Sequence, residues 1–140
     1  MLTTLVLTAG LLLGSQTATF DARTELQGLY GEISQTRAQA AGATTTANDI
    51  DALHDTLFTQ DWTFVDKSGH TQTWMDLRQK EIDASSQPPA HEVLYQPIKK
   101  LSLSSDGCTA TATIRDSGTT YEDTWVKVGE SWKMKTRREL

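Results

Sequence analysis

The feature that most constrains the fold is a series of strand-like segments in the last third of the chain, separated by short turns. Residues 105–107, 116–118 and 129–131 are turn sequences that each contain a glycine. Consecutive strands joined by such short turns pair antiparallel. The sequence therefore predicts an antiparallel sheet, with strands at residues 91–104, 108–114, 121–128 and 132–137.

Helical patterns dominate the first half of the chain. Asp21 is a predicted N-cap, because its carboxylate can accept from the backbone N–H groups of a first helical turn. An apolar stripe at steps of three and four residues follows it, which is typical of an amphipathic helix: Ala22, Leu26, Leu29, Tyr30 and Ile33.

Two further helices are predicted from capping boxes, in which the first and fourth residues exchange hydrogen bonds. Thr46 and Asp49 form one such pattern, and Thr73 and Asp76 form the other. Between them, residues 62–66 are rich in aromatic and β-branched side chains and read as a strand.

The N-terminal segment has no charged side chain before Asp21. Its apolar stretch, residues 2–13, is shorter than the roughly 20 residues of a membrane-spanning helix and suits a secretory signal. Small residues follow, so cleavage after Ala18 is expected. We predict an export signal at residues 1–18, a single domain at 19–140, a secreted or periplasmic location and no stable membrane anchor.

Charge and motif content exclude several function classes. The 140 residues carry 13 basic and 18 acidic side chains, a net charge of -5, which disfavours binding to nucleic acid. No pair of histidines has a metal-binding spacing, and the single Cys108 is predicted to pack on the apolar face of a strand. The sequence also lacks the GxSxG, P-loop and GxGxxG signatures. We expect no metal and no cofactor.

Three segments of the chain carry a resemblance to a known family, and they are FTQDWTFVDKSG at 58–69, YEDTWVKVGESW at 121–132 and the basic ending KMKTRR at 133–138. Together with the order of elements, they resemble the nuclear transport factor two-like superfamily, and most of all its SnoaL-like and ketosteroid isomerase-like bacterial members of unassigned function. The resemblance implies an α+β fold in which three N-terminal helices pack on a curved antiparallel sheet to form a cone. It also implies dimerisation, so a homodimer is expected.

Candidate site residues lie on one face of the 121–128 strand, because side chains alternate between the two faces. If that face lines the cone, Asp123 lies between Tyr121 and Trp125; if it faces outward, Asp123 is a solvated charge or part of a dimer surface. Tyr30 and His91 are the candidate catalytic partners of Asp123. The candidate ligand-binding residues are Tyr30, Trp62, Tyr121, Asp123 and Trp125.

Other polar residues receive structural interpretations. His54 is predicted to be a partly buried packing residue and His70 to be solvated. The basic ending places cationic side chains on one face of its strand: Lys133, Lys135, Arg137 and Arg138. It is predicted to be a solvated edge that resists aggregation; the alternatives are binding of an anion and pairing with acids across a dimer.

Three functions fit these observations. The preferred one is non-catalytic binding of a small hydrophobic ligand in the cone, or action through the dimer surface, because no complete acid–base set can be mapped. The second is an enzyme of the isomerase, cyclase or dehydratase type that uses Asp123 with a tyrosine or histidine. The third is a structural or partner-binding module.

Overall fold

The structure is a computed structural model, and it describes residues 2–40, 47–85, 97–116 and 118–140. Within these residues the helices are α1 (Leu2–Ala40), α2 (Ala47–Leu57) and α3 (Trp74–Ser85). The strands are β1 (Phe58–Val65), β2 (Thr71–Thr73), β3 (Lys100–Leu103), β4 (Thr109–Asp116), β5 (Thr119–Val128) and β6 (Ser131–Glu139). The predicted α+β class, with three helices on a curved sheet, is confirmed.

The strands form one open sheet in the order β2-β1-β6-β5-β4-β3. Its pairings are antiparallel except for one: β1 runs parallel to β6, with Phe64 opposite Arg137. The predicted antiparallel pairing is confirmed for the strands that short turns join, and the parallel pair of β1 and β6 departs from it. The reason is physical, since no short turn joins β1 to β6 and nothing local dictates their relative direction.

The predicted hairpins are confirmed at their turns. Gly107, Gly118 and Gly129 all have positive φ, between 67° and 84°, a conformation that glycine adopts without steric penalty. These turns join β3 to β4, β4 to β5 and β5 to β6. They fix the register of β4, β5 and β6, in which Ala112 lies opposite Asp123 and Asp123 lies opposite Arg137.

The predicted strand at residues 91–104 is shorter in the structure. Residues 91–96 lie outside the described residues, and β3 begins only at Lys100. Pro97 has no N–H to donate to a sheet, and the N–H of Ile98 donates to the Gln27 side chain of α1 at 2.8 Å. Strand pairing with β4 therefore begins just after this contact.

Helix α1 begins at Leu2, so the prediction that Asp21 caps its N-terminus is wrong. No proline interrupts the segment before Asp21, and the helix continues through it. The predicted apolar stripe is confirmed further along, because Ala22, Leu26, Tyr30 and Ile33 are all buried. No helix among the described residues is long and apolar enough to cross a membrane.

The core lies between α1 and the inner face of the sheet. Leu26 and Trp125 are fully buried there, together with the small residues Ala110 and Ala112 of β4. Trp62, Trp125 and Trp132 are buried as well. The predicted packing of Cys108 on the apolar face of a strand is wrong: Cys108 is exposed in the turn before β4, where its N–H donates to the Asp106 carboxylate.

The predicted cap of α3 is confirmed atom by atom. The backbone N–H of Thr73 donates to Asp76 Oδ2 at 2.8 Å, and the Asp76 N–H reaches Thr73 Oγ1 at 3.4 Å. This reciprocal pair fixes the point where β2 ends and α3 begins. It thereby places Trp74, the first residue of α3, beside α2.

Candidate functional site

A cavity of about 280 Å³ lies between the helices and the inner face of the sheet. Its wall takes residues from α1, α2, α3 and from strands β1, β2, β4, β5 and β6. Ligand sites usually occupy about 300–1,000 Å³, so this cavity suits a small molecule.

Aromatic side chains form much of the cavity wall. Two stacks are centred on His54: its ring lies 5.1 Å from that of Phe58 and 4.1 Å from that of Trp74, nearly parallel to both. Helix α2 runs directly into β1, which brings His54 next to Phe58, and the start of α3 supplies Trp74. The aromatic and imidazole rings of the wall are His54, Phe58, Trp62, Phe64, Trp74 and Tyr121.

A second group of residues lies buried behind this wall and joins α1 to the sheet. The Tyr30 hydroxyl donates to Asp123 Oδ2 at 2.6 Å and accepts from the Trp125 indole N–H at 2.9 Å. Arg137 donates through Nε and Nη2 to the two oxygens of the Asp123 carboxylate, both at 2.8 Å. We call these four residues the buried polar cluster: Tyr30, Asp123, Trp125 and Arg137.

Burial and nearby charges keep Tyr30 and Arg137 of the cluster protonated. Burial, reinforced by the negative charge of Asp123, raises the pKa of Tyr30 well above its ordinary value, so its hydroxyl stays protonated. For Arg137, burial alone would lower the pKa, but the attraction of Asp123 outweighs it and raises the pKa above its ordinary value. The cluster is thus a buried ion pair with a tyrosine as a third partner.

Arg137 belongs to both the cluster and the cavity, since it also lines the cavity wall. Its guanidinium carbon lies 4.7 Å from the centre of the Tyr121 ring, a cation–π contact. The prediction that Arg137 is part of a solvated edge is wrong. The reason is an irregularity in β6. Trp125 pairs with Met134 and the preceding Thr124 pairs with Thr136, so one residue of β6, Lys135, has no partner in β5. This extra residue reverses the alternation of the strand beyond it and turns Arg137 inward.

His54 is the predicted packing residue, and its packing is confirmed: only 5% of it is exposed. Burial lowers its pKa, while the nearby Asp55 and Asp51 partly oppose that shift. The imidazole is therefore neutral at neutral pH. His54 Nε2 and Trp62 Nε1 are both buried and lack a hydrogen-bond partner among the described residues. His70 is exposed, as expected.

The candidate site residues from the sequence fall into two places. Trp62 and Tyr121 line the cavity. The other three, Tyr30, Asp123 and Trp125, belong to the buried polar cluster and do not line the cavity. His91 lies outside the described residues. Sequence reasoning missed Arg137 as a site residue and missed the stacking of His54. A signal for the stacking was available, because His54 and Phe58 are four residues apart across the end of α2.

Metal ligation has no support in the described part of the chain. There, no group of three or more histidine, cysteine, aspartate or glutamate side chains is arranged to hold a metal ion. The charged and amide side chains of the cavity wall are Gln72, Lys80, Glu81, Asp116 and Arg137.

Comparison with models of known protein families gives no match, and comparison with curated proteins gives none. Solved structures do match. An NTF2-like protein of unknown function from Silicibacter pomeroyi DSS-3 is 16% identical, with 87% of this chain and 97% of that chain covered and a TM-score of 0.55. An NTF2-like protein with a cystatin-like fold from Novosphingobium aromaticivorans is 16% identical, with 91% and 86% covered and a TM-score of 0.56.

A third structure, also from Novosphingobium aromaticivorans, is named "Putative Scytalone Dehydratase". It is 16% identical, with 89% of this chain and 86% of that chain covered, and the TM-score is 0.57. At these identities the likeness is one of fold. The chain has the fold of the nuclear transport factor two-like (NTF2-like) superfamily, as the resemblance in sequence implies; the narrower likeness to the SnoaL-like group stays a prediction.

Proposed function

We propose that this chain binds a small, mainly aromatic ligand in the cavity without transforming it. The observation that carries this proposal is the wall itself, in which aromatic rings from α2, β1, α3 and β5 surround about 280 Å³. A mostly apolar pocket with a few polar groups is the usual character of a small-molecule site. Aromatic rings also favour ring-bearing ligands through stacked and edge-to-face contacts.

Catalysis through Asp123 is the rival function, and the geometry supports it less. Asp123 is 0% exposed and is not part of the cavity wall. Its two oxygens already accept from Arg137 and Tyr30. A general base must lie within hydrogen-bonding reach of the proton that it removes. Here Tyr30 and Arg137 occupy the positions around the Asp123 carboxylate that a substrate would need. The dehydratase named above shares the fold at 16% identity, which does not bring its activity to this chain.

Titration with naphthalene derivatives tests the binding function. We expect 2-ethylnaphthalene to raise the melting temperature of the protein and to bind saturably in calorimetry. Leu77→Trp, which fills the cavity, is expected to weaken that binding at least tenfold. Leu101→Trp is the matched control, because Leu101 packs against the core but does not line the cavity. The function would be rejected if neither 2-ethylnaphthalene nor its oxygen-bearing analogues, 2-acetylnaphthalene and 2-naphthoate, bound the wild type, or if Leu77→Trp bound 2-ethylnaphthalene equally well.

Export is proposed with the binding function. The described side chains at Gln16, Thr17 and Ala18 are exposed, and the first buried one among the described side chains of α1 is Ala22. Cleavage after Ala18 would therefore keep the buried positions Ala22, Leu26 and Tyr30 in the mature chain. Intact mass measurement of the protein recovered from a secreting host is expected to show an N-terminus at Thr19. Full-length protein confined to the cytosol would contradict this.

A homodimer formed through the outer face of the sheet is also proposed. On β4 that face carries Thr109, Thr111 and Thr113, each partly buried, while the alternate positions point into the core. Light scattering after size exclusion is expected to give twice the 15.5 kDa chain mass. Thr111→Arg, at the middle of this face, is expected to halve the mass, and a wild-type monomer would overturn the proposal.

A further inference from the structure

Unmet hydrogen-bonding groups in the cavity wall indicate what its ligand must offer. A buried polar group without a partner is unfavourable, so native structures rarely leave one without a reason. A ligand that completes such a group recovers part of that free energy. The question is whether the unmet groups donate or accept.

Arg137 contributes donors only. Nε and Nη2 bind Asp123, whereas Nη1 makes no hydrogen bond to the described residues. Its side chain is 15% exposed and lines the cavity. The Asp123 carboxylate and the Tyr121 ring hold the guanidinium in place. Its remaining N–H donors, those of Nη1, are therefore fixed in position.

Trp62 contributes a second donor from β1. Trp62 is 8% exposed, lines the cavity, and its Nε1 is buried with no partner among the described residues. An indole N–H can only donate. The carboxylates of Glu81 and Asp116 are acceptors in the same wall, and each already has an interaction of its own.

We propose that the ligand of the cavity carries an oxygen acceptor, either a carbonyl or a carboxylate, next to its ring, and that Arg137 and Trp62 bind that oxygen. This inference rests on the proposed binding function and specifies its ligand class. His54, only 5% exposed as a residue, adds a buried Nε2 to the same wall. In the tautomer that carries its proton on Nε2, the neutral imidazole donates to the same oxygen.

Three probes of matched shape test the inference: 2-acetylnaphthalene, 2-naphthoate and 2-ethylnaphthalene. Calorimetric titration is expected to show that at least one oxygen-bearing probe binds the wild type at least tenfold more tightly than 2-ethylnaphthalene. The ketone and the carboxylate separate a neutral acceptor from a charged one.

Two substitutions remove the donors without emptying the wall. Trp62→Phe keeps an aromatic ring but has no N–H, and Arg137→Lys keeps a positive charge beside Asp123 but has no guanidinium edge. Each is expected to reduce the advantage of the oxygen-bearing probe over 2-ethylnaphthalene at least threefold. The ratio of the two affinities is compared, because a loss of ring contact weakens both probes alike. The matched controls are Trp132→Phe and Arg138→Lys, whose side chains lie outside the cavity wall.

The outcomes separate this inference from the function on which it rests. Equal binding of the three probes, or an advantage that neither substitution reduces, overturns the oxygen-acceptor inference and leaves the binding function standing. Failure of all three probes to bind the folded wild type rejects both. An advantage that falls in Trp62→Phe and Arg137→Lys but not in the controls supports the assignment.

Discussion

At the scale of single residues, the buried polar cluster shows how one acidic side chain is tolerated in an apolar core. Asp123 is fully buried, yet both of its oxygens accept charge-assisted or hydroxyl hydrogen bonds. Removing one partner of such a set leaves the others uncompensated, which is more damaging than the average value of one hydrogen bond. Tyr30 is the partner that ties α1 to this set.

Tyr30→Phe is therefore expected to destabilise the fold by about 1–3 kcal/mol, because the Asp123 oxygen loses a donor and the Trp125 N–H loses its acceptor. Urea unfolding followed by fluorescence measures this free energy. Tyr121→Phe is the matched control, since the Tyr121 hydroxyl makes no hydrogen bond with the described residues and its removal is expected to change stability by less than about 0.5 kcal/mol. Equal losses in the two variants would contradict the role assigned to Tyr30.

His54 gives the fold a pH dependence of known sign. Burial lowers the pKa of His54 in the folded state. As the pH falls toward the ordinary value of 6.5, the unfolded chain therefore binds more protons than the folded chain. Stability is therefore full above about pH 7 and decreases as the pH falls through 6.5 and below. Acids such as Asp51 and Asp76 act in a separate window, because their pKa values lie below the ordinary 3.8.

Urea unfolding at pH 7.5, 6.5 and 5.5 measures this slope. The wild type is expected to lose stability across that range, and His54→Phe, which keeps a ring in the stack, is expected to lose less. His70→Gln replaces an exposed histidine and serves as the control. If His54→Phe keeps the full wild-type slope, another group is responsible.

At the scale of elements, the junction of β2 and α3 depends on one capping residue. Thr73→Ala removes the hydroxyl that bonds Asp76 Oδ2 at 3.0 Å and receives the Asp76 N–H. We expect it to destabilise the protein by about 1 kcal/mol, measured by urea unfolding. Thr71→Ala, at the exposed other end of β2, is the matched control, and a larger loss there would contradict the capping account.

Local elements were predictable because their signals are local. The Thr73–Asp76 cap, the apolar stripe of α1 and the glycine turns of the hairpins are each encoded within a few residues. The start of α1 was not predictable in this way. Asp21 is a residue type that often caps helices, but no proline precedes it to end the helix, and α1 begins at Leu2 instead. Three-residue β2 was also missed, as it is shorter than a pattern of alternation can reveal.

At the scale of the whole molecule, the candidate site depends on contacts that no local pattern encodes. The parallel pairing of β1 with β6 places Phe64 beside Arg137, 73 positions along the chain (137 minus 64). The irregularity in β6 then turns Arg137 toward Asp123, against the simple alternation of the strand. Sequence reasoning therefore found Trp62, Tyr121 and Asp123 as candidates but not the division between cavity wall and buried cluster.

The central claim is that the aromatic cavity is where the ligand binds, and the four tryptophans allow a direct test. Trp62 and Trp74 line the cavity, whereas Trp125 and Trp132 do not. In a ¹H–¹⁵N spectrum with the indole signals assigned, saturating 2-acetylnaphthalene is expected to shift the Trp62 and Trp74 signals and to leave that of Trp132 in place. A shift confined to Trp132, or no shift in any indole signal, would contradict the claim.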